Sequence, residues 1–219
     1  MLVLDFVTID FPAAKLFERT EKILQKMVQM GVNYIPLTFS GCYKGLLSKS
    51  ELEYRVMKSP IISEGFSFSP VLTVQDEVME ALDLMTKYKL DILPIVEEEN
   101  RYKGCLTREG LLKGIRAETH VGEPGSIICV QATTLNYSQT DLIRALESNH
   151  AHLQSMHTSL DSKTGFERLT LKIDLVDITH VSRSLERFGF EVTHSLGAYD
   201  ARREALAERA NELSYIINM

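Results

Sequence analysis

Apolar positions along the chain fall into two rhythms, and the first of them occurs twice. Ile23, Leu24, Met27 and Met30 recur at helical spacing, as do Val78, Ala81, Leu82, Met85 and Tyr88. A short apolar run follows each predicted helix, Tyr34–Phe39 in one case and Ile92–Val96 in the other. Gly31 suits the end of the first helix. A polar turn comes next, Ser40-Gly41 or Glu98-Glu99-Asn100, and then a second predicted strand, Tyr43–Leu47 or Tyr102–Leu106. Ser48 and Thr107 stand where helix N-caps belong, ahead of predicted helices over Lys49–Met57 and Arg108–Arg116.

The two stretches superimpose at a constant shift of 58 positions. Pro12 falls on Pro70, Leu16 on Val74, Leu24 on Leu82, Met27 on Met85, and Tyr34-Ile35-Pro36-Leu37 on Ile92-Leu93-Pro94-Ile95. After one inserted residue, Tyr43-Lys44-Gly45-Leu46-Leu47-Ser48 matches Tyr102-Lys103-Gly104-Cys105-Leu106-Thr107. This is a tandem repeat of helix–strand–strand–helix units, residues 1–58 and 59–116. Each unit is too small to bury its own sheet face well, so the two are expected to pack together.

Residues 117–125 are polar, carry Pro and Gly, and read as a linker. Beyond it the rhythm changes. Ile127–Gln131 reads as a strand, Ser138–Ser148 as a helix with Ser138 and Asp141 at its start, and His152–Thr158 as a strand. Glu167–Val176 alternates, Leu169, Leu171, Ile173 and Leu175 inward and Arg168, Thr170, Lys172 and Asp174 outward. A helix with Ile178, Val181, Leu185 and Phe188 on one side stops at Gly189, and Phe190–Ser195 is a last strand. The order βαββαβ over residues 126–197 predicts a ferredoxin-like arrangement, and the fold class is α+β. Leu206, Ala210, Leu213 and Ile217 predict an amphipathic helix within residues 198–219.

Of 219 residues, 44% are hydrophobic and 25% charged, which excludes disordered and fibrous classes. The net charge of −6 offers no basic field for nucleic acid or anionic lipid. Cys42, Cys105 and Cys129 form neither a CxxC pair nor an even framework, which points to a reducing compartment. The first residues lack the basic start of a signal peptide, and no apolar run reaches membrane-spanning length. A cytoplasmic location is expected.

The hydrophobic-Pro pairs Ile35-Pro36 and Leu93-Pro94, with the segments Gly45–Ser48 and Gly104–Thr107, make the repeat resemble a tandem pair of CBS domains. Residues 126–197 resemble an ACT-type domain on topology, and the whole order is similar to bacterial CBS–ACT proteins of the acetoin-utilisation type. The resemblance implies a non-catalytic regulatory protein with no covalent cofactor. It would hold AMP, ADP, ATP or another adenosyl ligand in a cleft between the copies and act on a regulated partner protein. Lining residues would be Ala14, Ile35, Pro36, Ser48, Lys49 and Glu51 from the first copy, and Leu72, Leu93, Pro94, Thr107 and Arg108 from the second. Helix starts attract anions, and Lys49 and Arg108 follow the two cap residues.

The chain departs from that pattern where the family carries a ribose-binding Asp. Glu51 stands there in the first copy and Gly110 in the second. Ser48…Glu51 is equally a capping box that needs no ligand. The ACT-like part has no Gly between Ala132 and Tyr137, where effector-binding members have one, so pairing of subunits into a homodimer is its expected role. His150, His152 and His157 lack the further ligands a zinc site requires. No nucleophile elbow, P-loop or dinucleotide fingerprint is present. The alternative to a sensor is a ligand-free oligomeric scaffold, with an enzyme of unrecognised type a distant third.

Overall fold

The computed structural model describes residues 1–9, 11–55, 70–132, 137–160 and 165–196. The chain divides into two compact units, Met1–Ile115 and Arg116–Met219. In the first unit, a 3-10 turn (Val3–Phe6) and a short strand β1 (Thr8–Ile9) precede the first copy of the repeat. That copy consists of β2 (Ala14–Lys15), α1 (Thr20–Met30), β3 (Tyr34–Phe39), β4 (Cys42–Ser48) and α2 (Lys49–Arg55). The second runs β5 (Leu72–Thr73), α3 (Val78–Lys87), β6 (Ile92–Val96), β7 (Tyr102–Thr107) and α4 (Arg108–Glu118).

The two copies are built alike. In each, a two-residue strand pairs in parallel with the Pro-containing strand, which pairs antiparallel with the next. The short strands β2 and β5 escape sequence reading, because two residues are too few for an alternation to show. Gly31, at φ 65°, closes α1 with its N–H returned to the last turn. Ile23, Met27, Ile35, Leu37, Leu47 and Leu52 form the first copy's core. The second core gathers Val78, Ala81, Met85, Ile92, Leu93 and Leu106, and it takes in Leu46 from β4. The copies therefore share buried surface, as their small size demands.

Hydrogen bonds repeat across the pseudo-two-fold axis. Tyr43 Oη donates to the Pro70 carbonyl (3.1 Å), and Tyr102 Oη donates to the Phe11 carbonyl (2.9 Å). Each tyrosine thus clasps the backbone beside the leading proline of the opposite copy. Asn100 Nδ2 donates to the Tyr43 carbonyl (2.8 Å), and Tyr102 N–H donates to the Gly41 carbonyl (2.9 Å), so the two hairpin ends also meet.

The symmetry fails at the first residues. The first repeat is expected to begin at residue 1, yet β1 pairs antiparallel with β7 of the second copy, Thr8 opposite Cys105 and Ile9 opposite Gly104. Val3 N–H donates to Asp76 and Val78 N–H to Met1, so this segment belongs to the second copy's sheet. Two glycines one turn apart on α4 admit it. A Cβ at Gly110 would lie 2.5 Å from the Phe6 carbonyl oxygen, and one at Gly114 would lie 2.9 Å from both methyls of Val78.

The second unit is β8 (Ser126–Ala132), α5 (Gln139–Glu147), β9 (Leu153–Leu160), β10 (Glu167–Ile173), α6 (Thr179–Arg187) and β11 (Phe190–Leu196). Its antiparallel sheet has the order β11-β8-β10-β9, the ferredoxin-like topology. Leu142, Leu146, Val181 and Leu185 from the helices pack on Ile128, Val130, Leu169, Leu171 and Ile173 from the sheet. Ser138 caps α5 by accepting from Asp141 N–H (3.2 Å). Lys172 corrects the expected alternation: it is buried rather than turned to solvent, and its ammonium donates to the carbonyls of Glu123 (3.0 Å) and Pro124 (2.9 Å). The end of the linker is pinned to the sheet in this way. The amphipathic helix expected within residues 198–219 lies outside the described residues. No helix among the described residues is long and apolar enough to cross a membrane.

Two stability outcomes follow. Tyr43→Phe and Tyr102→Phe each leave a carbonyl without its donor and are expected to cost about 1 kcal/mol in urea unfolding. Gly110→Ala drives a methyl group against backbone that cannot give cheaply, and is expected to cost roughly 1–3 kcal/mol. An unchanged midpoint for Gly110→Ala would mean that residues 3–6 do not hold their place over α4.

Candidate functional site

The starts of α2 and α4 are joined by a run of hydrogen bonds through one side chain. Asn33 and Asp91 occupy equivalent positions, 58 residues apart, each just before the Pro-containing strand. Lys49 N–H donates to the Asn33 carbonyl (2.8 Å), and Arg108 N–H donates to the Asp91 carbonyl (3.2 Å). Asn33 N–H in turn donates to Asp91 Oδ2. The second carboxylate oxygen, Oδ1, is buried and has no hydrogen-bond partner among the described residues. Asp91 itself is 7% exposed, whereas Asn33 lies at the surface.

Around this junction stand the polar candidates. Ser48 and Glu51 close a reciprocal capping box: Glu51 N–H donates to Ser48 Oγ (3.2 Å), and Ser48 N–H donates to Glu51 Oε2 (3.1 Å). Thr107 Oγ1 accepts from Gly110 N–H (3.1 Å), so it caps α4 without a carboxylate opposite. Lys49 is half-buried, with its ammonium 4.0 Å from Glu53. Arg108 is exposed and has no carboxylate within ion-pair distance among the described residues. The backbone starts of α2 and α4, each with its cap residue, are therefore linked through Asn33 and Asp91.

The apolar candidates are placed differently. Ala14, Ile35 and Leu93 are fully buried, and Leu72, Pro36 and Pro94 are buried too. Ala14 pairs with Leu37 and Leu72 with Ile95, each beside the inner strand of its own copy. Ala14 and Ile35 belong to the first core, Leu72 and Leu93 to the second. Strands β3 and β6 lie against each other, which brings the two Pro-containing segments together beneath the polar junction. Sequence reading passed over Asn33 and Asp91, although the repeat alignment places a short polar residue before both strands.

Burial governs the titratable groups here. It pushes the Cys105 thiol up to about 12, against the lowering effect of the Tyr102 hydrogen bond and with a smaller contribution from the Asp91 charge. The Tyr43 phenol is raised chiefly by burial as well. Neither group is an activated nucleophile, because both are held neutral. In the second unit His150, His152 and His157 are all exposed. Among the described residues no three His, Cys, Asp or Glu side chains gather as a metal site would require. Residues 133–136, between β8 and α5 in sequence, lie outside the described residues.

Residues 53–117 match the family model described as CBS domain. No curated protein matches the chain. Among solved structures, a CBS domain pair/ACT domain protein from Thermotoga maritima is 23% identical, with a TM-score of 0.45 over 53% of this chain and 98% of its own. CBSX2 in complex with AMP is 19% identical, with a TM-score of 0.46 over 53% of this chain and 96% of its own. A CBS domain-containing protein of unknown function from Bacillus anthracis is 20% identical, with a TM-score of 0.45 over 54% of this chain and 94% of its own. The fold is α+β: two like units with pseudo-two-fold symmetry, the second within the stretch that matches the CBS-domain model, followed by a ferredoxin-like unit.

A group whose folded pKa is raised stabilises the fold below its unfolded pKa, and that contribution is lost as pH rises. For Cys105 the window runs from 9.0 to about 12. Urea unfolding is expected to show stability falling across this alkaline range, with a shallower fall in Cys105→Ala. Iodoacetamide at mildly alkaline pH is expected to modify the half-buried Cys42 and Cys129 and to spare Cys105 until the first unit unfolds.

Proposed function

We propose that this chain is a non-catalytic regulatory protein whose first unit takes an adenine nucleotide or related adenosyl ligand at the junction of its two repeats. The observation that supports this reading is the tie through Asp91, which links the starts of α2 and α4, where Lys49 and Arg108 are the first residues. A helix start carries a positive dipole end that favours phosphate, although here the N–H groups of Lys49, Glu51, Arg108 and Gly110 are bonded within the protein. Ser48 and Thr107 add hydroxyls, and Glu51 adds a carboxylate within reach of a ribose diol. Gly110 cannot supply the matching carboxylate, and Phe6 covers its position. Of the two pseudo-equivalent ends, the first copy's is therefore the better equipped.

The mechanism is linkage. Tyr43, Tyr102 and Asp91 reach across from one copy to the other, so a ligand that fits one relative placement better shifts the population toward it. A partner protein that reads that placement would be regulated. The second unit would join two copies of the chain: strands β9 and β11 are sheet edges among the described residues, and Leu160 at the end of β9 is exposed. A scaffold without ligand is the second reading. It is favoured by the burial of all six apolar candidates and by the engagement of Glu51 with the Ser48 backbone.

Calorimetric titration of the purified chain with AMP, ADP, ATP, cyclic di-AMP and S-adenosylmethionine separates the two. Saturable binding is expected for at least one of them, weakened about tenfold or more by Lys49→Gln or Arg108→Gln, the loss expected of one charge-assisted hydrogen bond. No heat and no thermal shift with any of the five would leave the scaffold reading in possession. Light scattering is expected to give the mass of two chains, and a mass of one chain would remove the dimer from either reading.

A further inference from the structure

We infer that α6 of the second unit carries a separate anion site, suited to the phosphate group of a small phosphorylated compound. A cavity of about 580 Å³ is lined by Asn149, His180, Arg183, Ser184, Glu186 and Arg187. His180, Arg183, Ser184 and Arg187 are spaced three, four and seven apart and so share one helix face. Three cationic or protonatable side chains thus meet in a chain whose net charge is −6. Glu186 is the one acidic residue of the lining, too few charges to neutralise the two guanidinium groups with His180.

The floor of the cavity is organised. Ser184 is 2% exposed, and its Oγ accepts from Asn149 Nδ2 (2.9 Å) and from Arg187 Nη2 (2.9 Å). A serine hydroxyl has two lone pairs and one proton. Both lone pairs are taken, and the proton has no acceptor among the described residues, so a buried donor is left over at the cavity floor. Asn149 Nδ2 also donates to the Ala145 carbonyl (2.7 Å) and lies 3.3 Å from Ser148 Oγ, which fixes it as a positioning residue. Arg187 is oriented by Ser184 and keeps most of its N–H fork free.

The cations are also unspent. Among the described residues no carboxylate forms an ion pair with Arg183 or Arg187, while the Asp177 carboxyl is held below the usual range by the Thr179 hydrogen bonds and, after them, by nearby His180. Lys26, Lys103 and Lys113 each have a carboxylate within 2.8 Å, and Arg144 on the neighbouring helix has Asp141 at 3.5 Å. Two guanidinium forks and a hydroxyl donor around one concavity match the several acceptor oxygens of a phosphate better than the two of a carboxylate. The volume exceeds that of phosphate alone, leaving space for an organic remainder.

The inference does not depend on the nucleotide reading, and amide NMR keeps the two apart. The full-length protein is titrated with inorganic phosphate, with phenyl phosphate and with a hexaglutamate peptide. Phosphate or phenyl phosphate is expected to shift the amides of α6 and residue 149 and to leave those of α2 and α4 in place. Arg183→Gln and Arg187→Gln are each expected to weaken binding about tenfold or more, and Ser184→Ala severalfold. Arg144→Gln, which removes an already paired cation, is expected to have no effect. Tighter binding of phenyl phosphate assigns a phosphate ester, and equal binding assigns free phosphate. Shifts spread over the whole surface, an equal loss with Arg144→Gln, a preference for hexaglutamate, or no shift in a wild-type protein would each overturn the site.

Discussion

Two half-modules, neither able to bury its own sheet, are held face to face by side chains that reach from each into the other. The centre of that arrangement is Asp91, whose carboxylate takes the Asn33 N–H while its own backbone receives the first N–H of α4. Placing a carboxylate in a largely buried position carries a desolvation cost that hydrogen bonds must offset. Bonds to charged groups are worth about 1.5–3 kcal/mol each, and the Asn33 N–H supplies one of them. A single side chain thereby links the two helix starts.

Reciprocity is nearly complete in the tyrosine clasps and incomplete at the helix starts. Tyr43 and Tyr102 make similar bonds in opposite directions, with acceptors one residue apart in the repeat, and the matching sheets differ mainly by the added strand β1. That strand and the 3-10 turn before it lie over the second copy, where Gly110 and Gly114 leave space for them. The first copy has Glu51 at the position of Gly110, engaged in a capping box. A duplicated unit has thus become two unlike ends, one carrying a carboxylate held in a capping box and the other covered by the chain itself.

The second unit spends its cations in two ways. Lys172 is used structurally: it gives up solvent to hold the carbonyls of Glu123 and Pro124, so the segment entering the sheet is fixed from within. The guanidinium groups of α6 are left unpaired by carboxylates, around a serine whose lone pairs are already occupied.

How much of this was legible beforehand depends on the range of the interaction. Periodicity exposed the repeat, and Tyr34–Phe39 and Ile92–Val96 appear as strands with those bounds, since alternation, helical spacing and cap residues are local properties. Ser48 with Glu51, and Ser138 with Asp141, cap as their three-residue spacing requires. The strand pairing of β1 with β7, the burial of Lys172 and the link from Asp91 to Asn33 join residues about 49 to 97 positions apart. No local pattern encodes such a choice. The order of residues determined which segments are helices and strands and that one unit occurs twice. Only the packed chain decided which end the first residues cover, because that turns on which backbone lies over Gly110.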